Sequence, residues 1–470
     1  MKNIYALLLA ATICQTIVAQ TTWTKVDCGT EFSIAQQSDS SLWAWGNNGN
    51  GQLGINSTTT QYTPVQIVPG AQWKSFSAGA FHCVAIKGDG TLWVWGLNGN
   101  GQLGTGNTAQ SLQPIQIGTD SDWMMADAGQ AHTLAIKNDH SLWAWGFNLY
   151  GQLGDGNTSD LNVPTQIGTS ADWLMAAGGG GHSLALKMDG TLWAWGANAN
   201  GQIGNGTTEQ VLTPTQIGTD AWTEVSTGFE YSLGRQIDNS IWSWGFNGNG
   251  QLGIGSIMQQ SAPAQISPGL QGQKIAAGSA HAFVITTEGY LYSWGYNGSG
   301  QLGNGQTMEE HMPVQVGDDN DWMEIAAAEG TFANNFVIGF HSMGLKGNRD
   351  VLCGSGGNYI GQIGGTTFDY TLTFICSTGQ LETNVNDDVI ANDLFSVYPN
   401  PNDGRFNIVT LNASENKYPF RIYSPTGQLI QSGVINSNLF NIDISENAKG
   451  IYCFAIEMQG QVITKKIVVR

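Results

Sequence analysis

One motif, W-x-W-G, recurs at nearly constant intervals and constrains more than any other feature what this 470-residue chain can fold into. Successive copies start 50, 50, 50, 49 and 50 residues apart, and the last is the variant Y-S-W-G. The copies start at Trp43, Trp93, Trp143, Trp193, Trp242 and Tyr292. Five residues after the glycine of each copy comes G-Q-[LI]-G, which occurs a seventh time at Gly361. A repeat of this length indicates an array of seven similar structural units.

Each unit is predicted to contain four short β-strands. In the second unit the strand pattern covers Trp73–Ala78, His82–Lys87, Leu92–Trp95 and Pro114–Ile117, with turn residues between the second and third segments. Composition agrees, because 64 Gly disfavour helices while 17 Trp and 17 Phe suit packing between sheets. We therefore expect an all-β chain.

Seven four-stranded units predict a seven-bladed β-propeller over residues 20–378. A linear solenoid is the alternative, and it is less favoured because neither terminal unit looks like a polar cap. We expect the ring to close by pairing of the last outer strand, near 371–375, with the sheet that begins at Trp23.

The charge balance excludes one class of partner. The chain has 17 Lys and Arg against 36 Asp and Glu, a net charge of −19. Nucleic-acid affinity comes mostly from basic side chains that neutralise phosphates, so we expect no nucleic-acid partner.

Residues 1–19 have the pattern of a secretory signal peptide. Lys2 precedes an apolar run from Ile4 to Ala11, and the small residue Ala19 suits cleavage before Gln20. An uncleaved membrane anchor is the alternative, which the short apolar run disfavours. No later stretch has the length and apolarity to span a bilayer, so we expect no transmembrane segment after cleavage.

The repeat as a whole resembles a known family. The patterns G-x-x-H-[ST]-L-A-[IL] at Gly129–Ile136 and Gly179–Leu186, D-G-T-L-W-x-W-G, N-x-x-G-Q-L-G and P-x-Q-I are similar to the regulator of chromosome condensation repeat. The resemblance implies the propeller fold and leaves function open. Some bacterial members of this fold resemble β-lactamase inhibitors, so binding to a protein has a precedent. The eukaryotic role on chromatin is not expected here, because the predicted propeller is acidic and lies behind a signal peptide.

The C-terminal part is predicted to be a separate module. Residues 379–392 read as a polar linker, and residues 393–470 as a small β-sandwich with alternating apolar positions. The module resembles the type A C-terminal sorting domain of the type IX secretion system, and an ordinary Ig-like or carbohydrate-binding sandwich is the alternative. The motif residues that carry the resemblance are Pro399, Asn400, Pro401, Gly404, Gly427, Gly450, Tyr452, Lys465 and Lys466. It implies contact with the type IX machinery and a secreted or outer-membrane-surface location in a Gram-negative bacterium.

The residues that could bind a metal or act in catalysis are better explained by structural roles. Four histidines occupy the same place in their respective units, which favours a hydrogen bond of the blade over a metal site. Phe32 and Tyr231 stand at that place in other units. The set is His82, His132, His182 and His281. The other three, His140, His311 and His341, are expected in turns or loops. The acidic run 318–321 could hold Ca²⁺, although a solvated loop is favoured. We predict no catalytic, cofactor-binding or metal-binding residues.

Five cysteines remain after the predicted cleavage, an odd number without C-x-x-C spacing. A zinc site and a redox-enzyme function are therefore disfavoured. An extracellular location permits disulfides. As a hypothesis, a bond between Cys28 and Cys376 would link the first and last units at the ring closure.

Comparison among the seven units separates structural from variable positions. The Asn after W-x-W-G and the Gln of G-Q-[LI]-G are shared, and we assign both to hydrogen bonds within loops. Neighbouring positions vary and include apolar and aromatic residues, which suit either an interaction surface or packing between blades. The candidate partner-binding residues are Leu97, Phe147, Tyr150, Phe246, Tyr296 and Tyr359.

The favoured hypothesis is a non-enzymatic secreted or cell-surface protein whose propeller loops bind an extracellular protein or glycan. A structural adhesin differs from this hypothesis in its partner alone. The alternative is a secreted polysaccharide hydrolase or lyase with carboxylates at the mouth of the channel. No unit carries a single acid or base that departs from the repeat in an evident catalytic setting.

Overall fold

The computed structural model describes two compact units, Met1–Leu381 and Glu382–Arg470. The described residues are 21–333, 336–338, 340–347, 351–364, 370–378, 395–398, 405–410, 417–424, 429–436, 439–446, 449–458 and 461–469. Within these ranges every regular element is a β-strand, as expected. A search of the same ranges found no helix with the length and apolarity needed to cross a bilayer.

The first unit is a seven-bladed β-propeller, which confirms the predicted fold. Each blade is a four-stranded antiparallel sheet with its strands in chain order. Blade 1 contains β1 (Trp23–Cys28), β2 (Phe32–Gln37), β3 (Leu42–Gly46) and β4 (Gln61–Ile67). Blade 2 contains β5 (Trp73–Ala78), β6 (His82–Lys87), β7 (Leu92–Gly96) and β8 (Ser111–Gln116). Blade 3 contains β9 (Trp123–Ala128), β10 (His132–Lys137), β11 (Ser141–Gly146) and β12 (Leu161–Ala171).

The remaining blades follow the same plan, with one insertion. Blade 4 contains β13 (Trp173–Gly178), β14 (His182–Lys187), β15 (Leu192–Gly196) and β16 (Val211–Ile217). Blade 5 contains β17 (Trp222–Thr227), β18 (Tyr231–Gln236), β19 (Ile241–Gly245) and β20 (Gln260–Gln265). Blade 6 contains β21 (Gly272–Ala277), β22 (His281–Thr286), β23 (Leu291–Gly295) and β24 (Glu310–Gln315). Blade 7 contains β25 (Trp322–Ala327), β28 (His341–Lys346), β29 (Val351–Gly357) and β30 (Tyr370–Thr378), with the inserted hairpin β26 (Thr331–Ala333) and β27 (Phe336–Ile338).

The expected strand exchange at the ring closure is wrong. β30 pairs with β29 inside blade 7, and β1 pairs with β2 inside blade 1. Because each repeat supplies four strands of its own, no sheet lacks a strand for the opposite end of the chain to provide. The ring instead closes through side chains, since Trp23 and Val26 share a buried cluster with Met343 and Leu345.

The disulfide hypothesis is also wrong. Cys376 bonds to Cys353, its direct neighbour in the β29–β30 ladder, with the two Cα atoms 4.0 Å apart. Cys28 is a free, buried thiol at the end of the first strand of blade 1. The first strand lies innermost in a blade and the fourth lies outermost, so the width of a blade separates Cys28 from Cys376.

The G-Q-[LI]-G motif joins neighbouring blades. The Gln102 side chain accepts a hydrogen bond within its own loop, from the Asn100 N–H at 2.9 Å. Its backbone carbonyl accepts a bond from the Trp145 indole of the next blade, also at 2.9 Å. A Cβ on Gly104, whose φ is +69°, would lie 2.8 Å from that indole nitrogen, so glycine is required there. The predicted loop hydrogen bonds are thus confirmed, with an added contact between blades.

The shared histidines lie at the same junctions. The Ser183 hydroxyl donates to the Gln152 carbonyl at 2.8 Å, so it accepts a hydrogen bond from His132 Nε2, 3.0 Å away. Equivalent pairs join His82 to Thr133, His182 to Ser232, His281 to Ser342 and His341 to Ser33. The predicted structural role is confirmed, and the bond runs between blades. His341 was wrongly expected in a loop and begins β28, while His311 lies in β24.

Where the hydroxyl is missing, the histidine is missing too. Cys83 and Ala282 replace the hydroxyl residue in blades 2 and 6, and the preceding blades carry Phe32 and Tyr231 in place of histidine. The Tyr231 hydroxyl donates to the backbone carbonyl of His281 at 2.6 Å. Each junction is therefore matched as a pair, because a buried imidazole without a partner would be unfavourable.

The C-terminal unit forms two sheets over one core. The first sheet contains β31 (Phe395–Tyr398), β32 (Arg405–Thr410) and β35 (Leu439–Asp443). The second contains β33 (Tyr418–Tyr423), β34 (Leu429–Ile435), β36 (Gly450–Met458) and β37 (Gln461–Val469). Phe406 and Ile442 of the first sheet share a buried cluster with Phe420 and Phe454 of the second, as in a sandwich.

The junction histidines predict an acid-sensitive propeller. Burial lowers the pKa of His182 to about 3, so between pH 6.5 and 3 the unfolded chain binds a proton that the folded chain does not. Stability therefore falls as the pH decreases through this range, by up to about 1.4 kcal/mol per pH unit for each such histidine. Replacing His182 with Gln should make the free energy of unfolding less dependent on pH, measured by denaturant unfolding at pH 7 and pH 4.5. The control is His311→Gln, at a half-buried histidine outside the junctions, and an unchanged pH dependence in His182→Gln would contradict the assignment.

Candidate functional site

The propeller has two faces with different loops. We call loop face the side formed by the turns between the first and second strands and the loops between the third and fourth strands. We call hairpin face the side formed by the hairpins between the second and third strands and the connections to the next blade. The loops of the loop face are 47–60, 97–110, 147–160, 197–210, 246–259, 296–309 and 358–364, and its turns are 29–31, 79–81, 129–131, 179–181, 228–230, 278–280 and 328–330.

All six candidate partner-binding residues lie on the loop face. Leu97, Phe147, Phe246 and Tyr296 each begin a loop and donate their backbone N–H to a carbonyl of the neighbouring turn, at 2.8 to 2.9 Å. These four side chains are half-buried. Tyr150 and Tyr359 lie further along their loops and are 44 % and 50 % exposed.

The aromatic rings of this face both pack and remain accessible. Phe147 and Tyr150 meet edge to face with their ring centroids 6.1 Å apart. Tyr150 also reaches the next blade, where a Cβ on Gly181 would lie 2.9 Å from its ring. Glycine at that position therefore leaves room for the ring. The Tyr150 side chain therefore packs against the next blade and is also accessible to a partner.

Three further aromatic residues escaped the sequence analysis. Phe81, Phe229 and Phe340 lie in or beside the turns, nearer the propeller axis, and are half-buried. The rings of Phe340 and Tyr296 lie 6.0 Å apart. The signal was present in the sequence, because Phe81 and Phe340 directly precede the first residue of the second strand, where other blades carry Glu, Ala or Gly.

Charge divides the propeller between its two faces. The described loops and turns of the loop face contain no Lys or Arg. Their acidic residues are Glu31, Asp155, Asp160, Glu209, Glu230, Glu309 and Glu329. Eight basic residues of the propeller are described, and all lie in first strands or at the hairpin end of second strands: Lys25, Lys74, Lys87, Lys137, Lys187, Arg235, Lys274 and Lys346. Acidic residues near the hairpin face therefore find cations, as Lys187 does with Asp172 at 3.2 Å.

Two carboxyl groups in the turns of the loop face lie in buried surroundings, Glu329 beside the axial cavity and Glu230 in another turn. Burial raises the pKa of Glu329 well above its usual range, and the nearby Asp127 and Asp27 raise it further. Burial also raises the pKa of Glu230. Among the described residues, no Lys or Arg forms an ion pair with either side chain.

The turns nearly close the axis at this face. The Gly180 N–H donates to the Phe229 carbonyl at 3.2 Å, and the Glu329 N–H donates to the Cys28 carbonyl at 3.4 Å. Gln130, Phe229 and Glu329 help to line a cavity of about 10 Å³ between the turns.

Behind these turns lies a central cavity of about 370 Å³, lined by the first strands of all seven blades. Two of the carboxylates that line it accept hydrogen bonds from backbone N–H groups. Asp27 accepts from the Ala78 N–H at 3.0 Å, and Asp127 accepts from the Gly178 N–H at 2.8 Å. Burial raises the pKa of Asp127 and that of Asp27, the latter to about 6.

These contacts give the channel acids a structural role. Ser77 has the same role in the blade between them, because its hydroxyl accepts from the Ala128 N–H at 3.1 Å while it donates to Asp127 at 3.0 Å. Each side chain thus accepts a hydrogen bond from an N–H of the following blade's first strand. Within the described part of the chain, no three or more His, Cys, Asp or Glu side chains are arranged to hold a metal ion. Asp319 of the proposed Ca²⁺ run pairs with Lys346.

The predicted export residues are partly covered by the structure. Gly450 and Tyr452 lie in β36, whose backbone pairs with the segment of β37 that carries Lys465 and Lys466. Ala19 and Gln20 lie outside the described residues, as do Pro399, Asn400, Pro401, Gly404 and Gly427.

Comparison with family models gives two matches. A regulator of chromosome condensation (RCC1) repeat model matches residues 39–86, 89–136, 139–186, 189–234, 238–285 and 288–331, and a second model of that repeat matches 73–102, 175–202 and 273–301. A secretion system C-terminal sorting domain model matches residues 396–470. The search of curated proteins found no significant match.

Solved structures agree on the fold. Human WBSCR16 is 21% identical, with 65% of this chain and 84% of that chain covered at a TM-score of 0.60. Prp20p from Saccharomyces cerevisiae is 21% identical, with 65% and 80% covered at 0.59. Yeast RCC1 (Prp20), in its structure with Kap60, is 19% identical, with 80% and 86% covered at 0.63. At these identities the likeness establishes the propeller fold alone.

The structural role of the channel acids is testable. Asp127→Ala leaves the Gly178 N–H and the Ser77 hydroxyl without their acceptor, so the free energy of unfolding should fall by about 1–3 kcal/mol. Chemical denaturation monitored by tryptophan fluorescence measures this change. The exposed Asp220→Ala variant, with the same loss of charge, should change stability by less than about 0.5 kcal/mol. Equal stability of Asp127→Ala and the wild type would argue against this role.

Proposed function

The chain belongs to the family of regulator of chromosome condensation (RCC1) repeat proteins, and from that premise we propose that it is a binding protein whose loop face receives an extracellular protein or glycan. The observation that carries the proposal is the set of aromatic residues that the loops and turns place on one face. Tyr and Phe supply large contact areas at little cost in conformational entropy, and they are enriched at interfaces.

A rigid scaffold supports the proposed binding surface. The candidate loops begin directly after third strands, and the G-Q-[LI]-G motif within each loop is bound to the next blade. A surface fixed in this way loses little conformational entropy when a partner binds. Variation among the seven loops then allows different side chains to meet different parts of one partner.

The proposal assigns no enzymatic activity. Among the acids that line the central cavity, Asp27 and Asp127 accept hydrogen bonds from backbone N–H groups, and Glu324 pairs with Lys274. The alternative is a glycan hydrolase or lyase. Turnover of a glycan from a broad panel would support it.

The C-terminal unit indicates where the protein acts. It is a secretion system C-terminal sorting domain, which indicates export by the type IX machinery. We propose that residues 1–19 direct the first export step as a signal peptide cleaved after Ala19. We also propose that the mature protein is released or held at the outer-membrane surface.

Removal of two aromatic side chains should abolish binding. The immobilised full chain is incubated with cell-envelope extract and with a glycan panel, and one defined protein or glycan should be retained. Phe147→Ala combined with Tyr150→Ala should reduce retention by about tenfold or more, because truncation of an aromatic hot spot commonly costs 2 kcal/mol or more.

The matched control truncates two apolar residues of the hairpin side, Leu174→Ala with Met188→Ala, which are 48 % and 60 % exposed. This variant should retain the partner as the wild type does. Equal retention by both double variants would place binding elsewhere on the protein.

Export should depend on the last strand. Deletion of 465–470 removes most of the partner of β36, so the protein should accumulate in the periplasm, as measured by immunoblots of cell fractions. The control replaces the exposed Lys417 and Lys449 with Gln and should reach the surface or medium. Normal export of the deletion variant would overturn the assignment of these residues to sorting.

A further inference from the structure

We propose that the partner of the loop face is a cationic polypeptide, which places a Lys or Arg side chain at the propeller axis beside Glu329. This inference rests on the proposed function, because it names the class of partner for the same surface.

The first observation is the segregation of charge. The described loops and turns of this face carry seven acidic and no basic residues, whereas the eight described basic residues of the propeller lie on first strands or toward the hairpin face. Such a division is not needed for folding, since the same blade plan accommodates Lys and Arg at the other end of its strands. Acidic residues are also frequent at the hairpin face, but five second strands carry Lys or Arg at that end, whereas no described cation offsets the negative potential of the loop face. That potential attracts cationic partners and repels anionic ones.

The second observation is that Glu329 has no ion-pair partner among the described residues, since Lys25, which lines the central cavity behind it, donates to the Phe76 carbonyl at 3.0 Å. Glu329 lies beside the small cavity between the turns, close enough to Asp127 and Asp27 for their charges to raise its pKa. Glu230 lies in the adjoining turn region, also without a basic partner among the described residues. Burial and the neighbouring acids disfavour the charged form of Glu329, and a guanidinium or ammonium group from a covering partner would favour that form through a charge-assisted hydrogen bond.

Aromatic rings suit the same occupant. Phe229 helps to line the axial cavity together with Glu329, and Phe81 and Phe340 lie beside neighbouring turns. Arg and Lys side chains bind favourably over aromatic faces while a carboxylate neutralises their charge. A neutral glycan could stack on the rings, but it would bury the axial carboxylates without a cation, so a polypeptide is favoured over a glycan.

The test compares two variants of equal charge. The loop-face variant carries Glu31→Gln, Glu230→Gln and Glu329→Gln. The hairpin-face variant carries Asp220→Asn, Glu288→Gln and Asp318→Asn, all at exposed positions. Glutamine keeps the acceptor that Glu31 offers to the Asn47 amide at 2.7 Å, and thermal unfolding of each variant checks that the fold is retained.

The probe is a fluorescent oligo-arginine peptide, with oligo-glutamate and a neutral cello-oligosaccharide for comparison, each added to the full chain. Fluorescence anisotropy should show that oligo-arginine binds the wild type, more weakly as salt increases. Its affinity should fall by about tenfold in the loop-face variant and by less than about twofold in the hairpin-face variant. If the two variants lose the same affinity for oligo-arginine, binding depends on net charge alone, and the inference is overturned.

A second readout separates this inference from the proposed function. Oligo-arginine should displace the partner retained from envelope extract, and oligo-glutamate should not. One outcome refutes the cationic partner and leaves the binding function standing. In it, Phe147→Ala with Tyr150→Ala abolishes retention, but oligo-arginine does not displace the partner and the loop-face variant still retains it. If the aromatic variant also retains the partner, the proposed function itself fails.

Discussion

The propeller depends on one backbone carbonyl per blade, that of the glutamine in G-Q-[LI]-G. It accepts a hydrogen bond from an indole of the next blade at five junctions and from a second-strand hydroxyl of the next blade at five. Each of those hydroxyls in turn accepts from a histidine in the second strand of the preceding blade. Because these groups are buried, the loss of one of them would leave a polar group at the junction without its partner. The junction of blade 7 with blade 1 repeats the contact through Ser33 and Gln362, so closure requires no exchanged strand.

This repeated constraint explains where the molecule is free to vary. Strands and junction residues are nearly identical from blade to blade, whereas residues beside the axis and in the loops differ. Tyr150 and Phe229 appear in single blades without disturbing the junction chemistry. Positions that no buried hydrogen bond constrains can then be selected for binding, which concentrates diversity on the loop face.

The sequence predicted the strands and the repeat number well, because local periodicity and shared positions reflect local requirements. It failed at ring closure and at the disulfide, where residues far apart in the chain meet. Cys376 could not be assigned to Cys353 without knowing that β29 and β30 place them directly opposite. His341 was missed because the hairpin inserted in blade 7 lengthens the spacing to its blade's first strand.

By itself the sequence determined the class of fold, the acidic charge and the presence of a sorting module, since repeats, composition and motifs are properties of the chain. Tertiary structure decided which groups share an environment. The ring of blades brings Glu329 of the last blade near Asp27 of the first and Asp127 of the third. It also places all described basic residues of the propeller away from the loop face, because alternate ends of antiparallel strands lie on opposite faces of the ring.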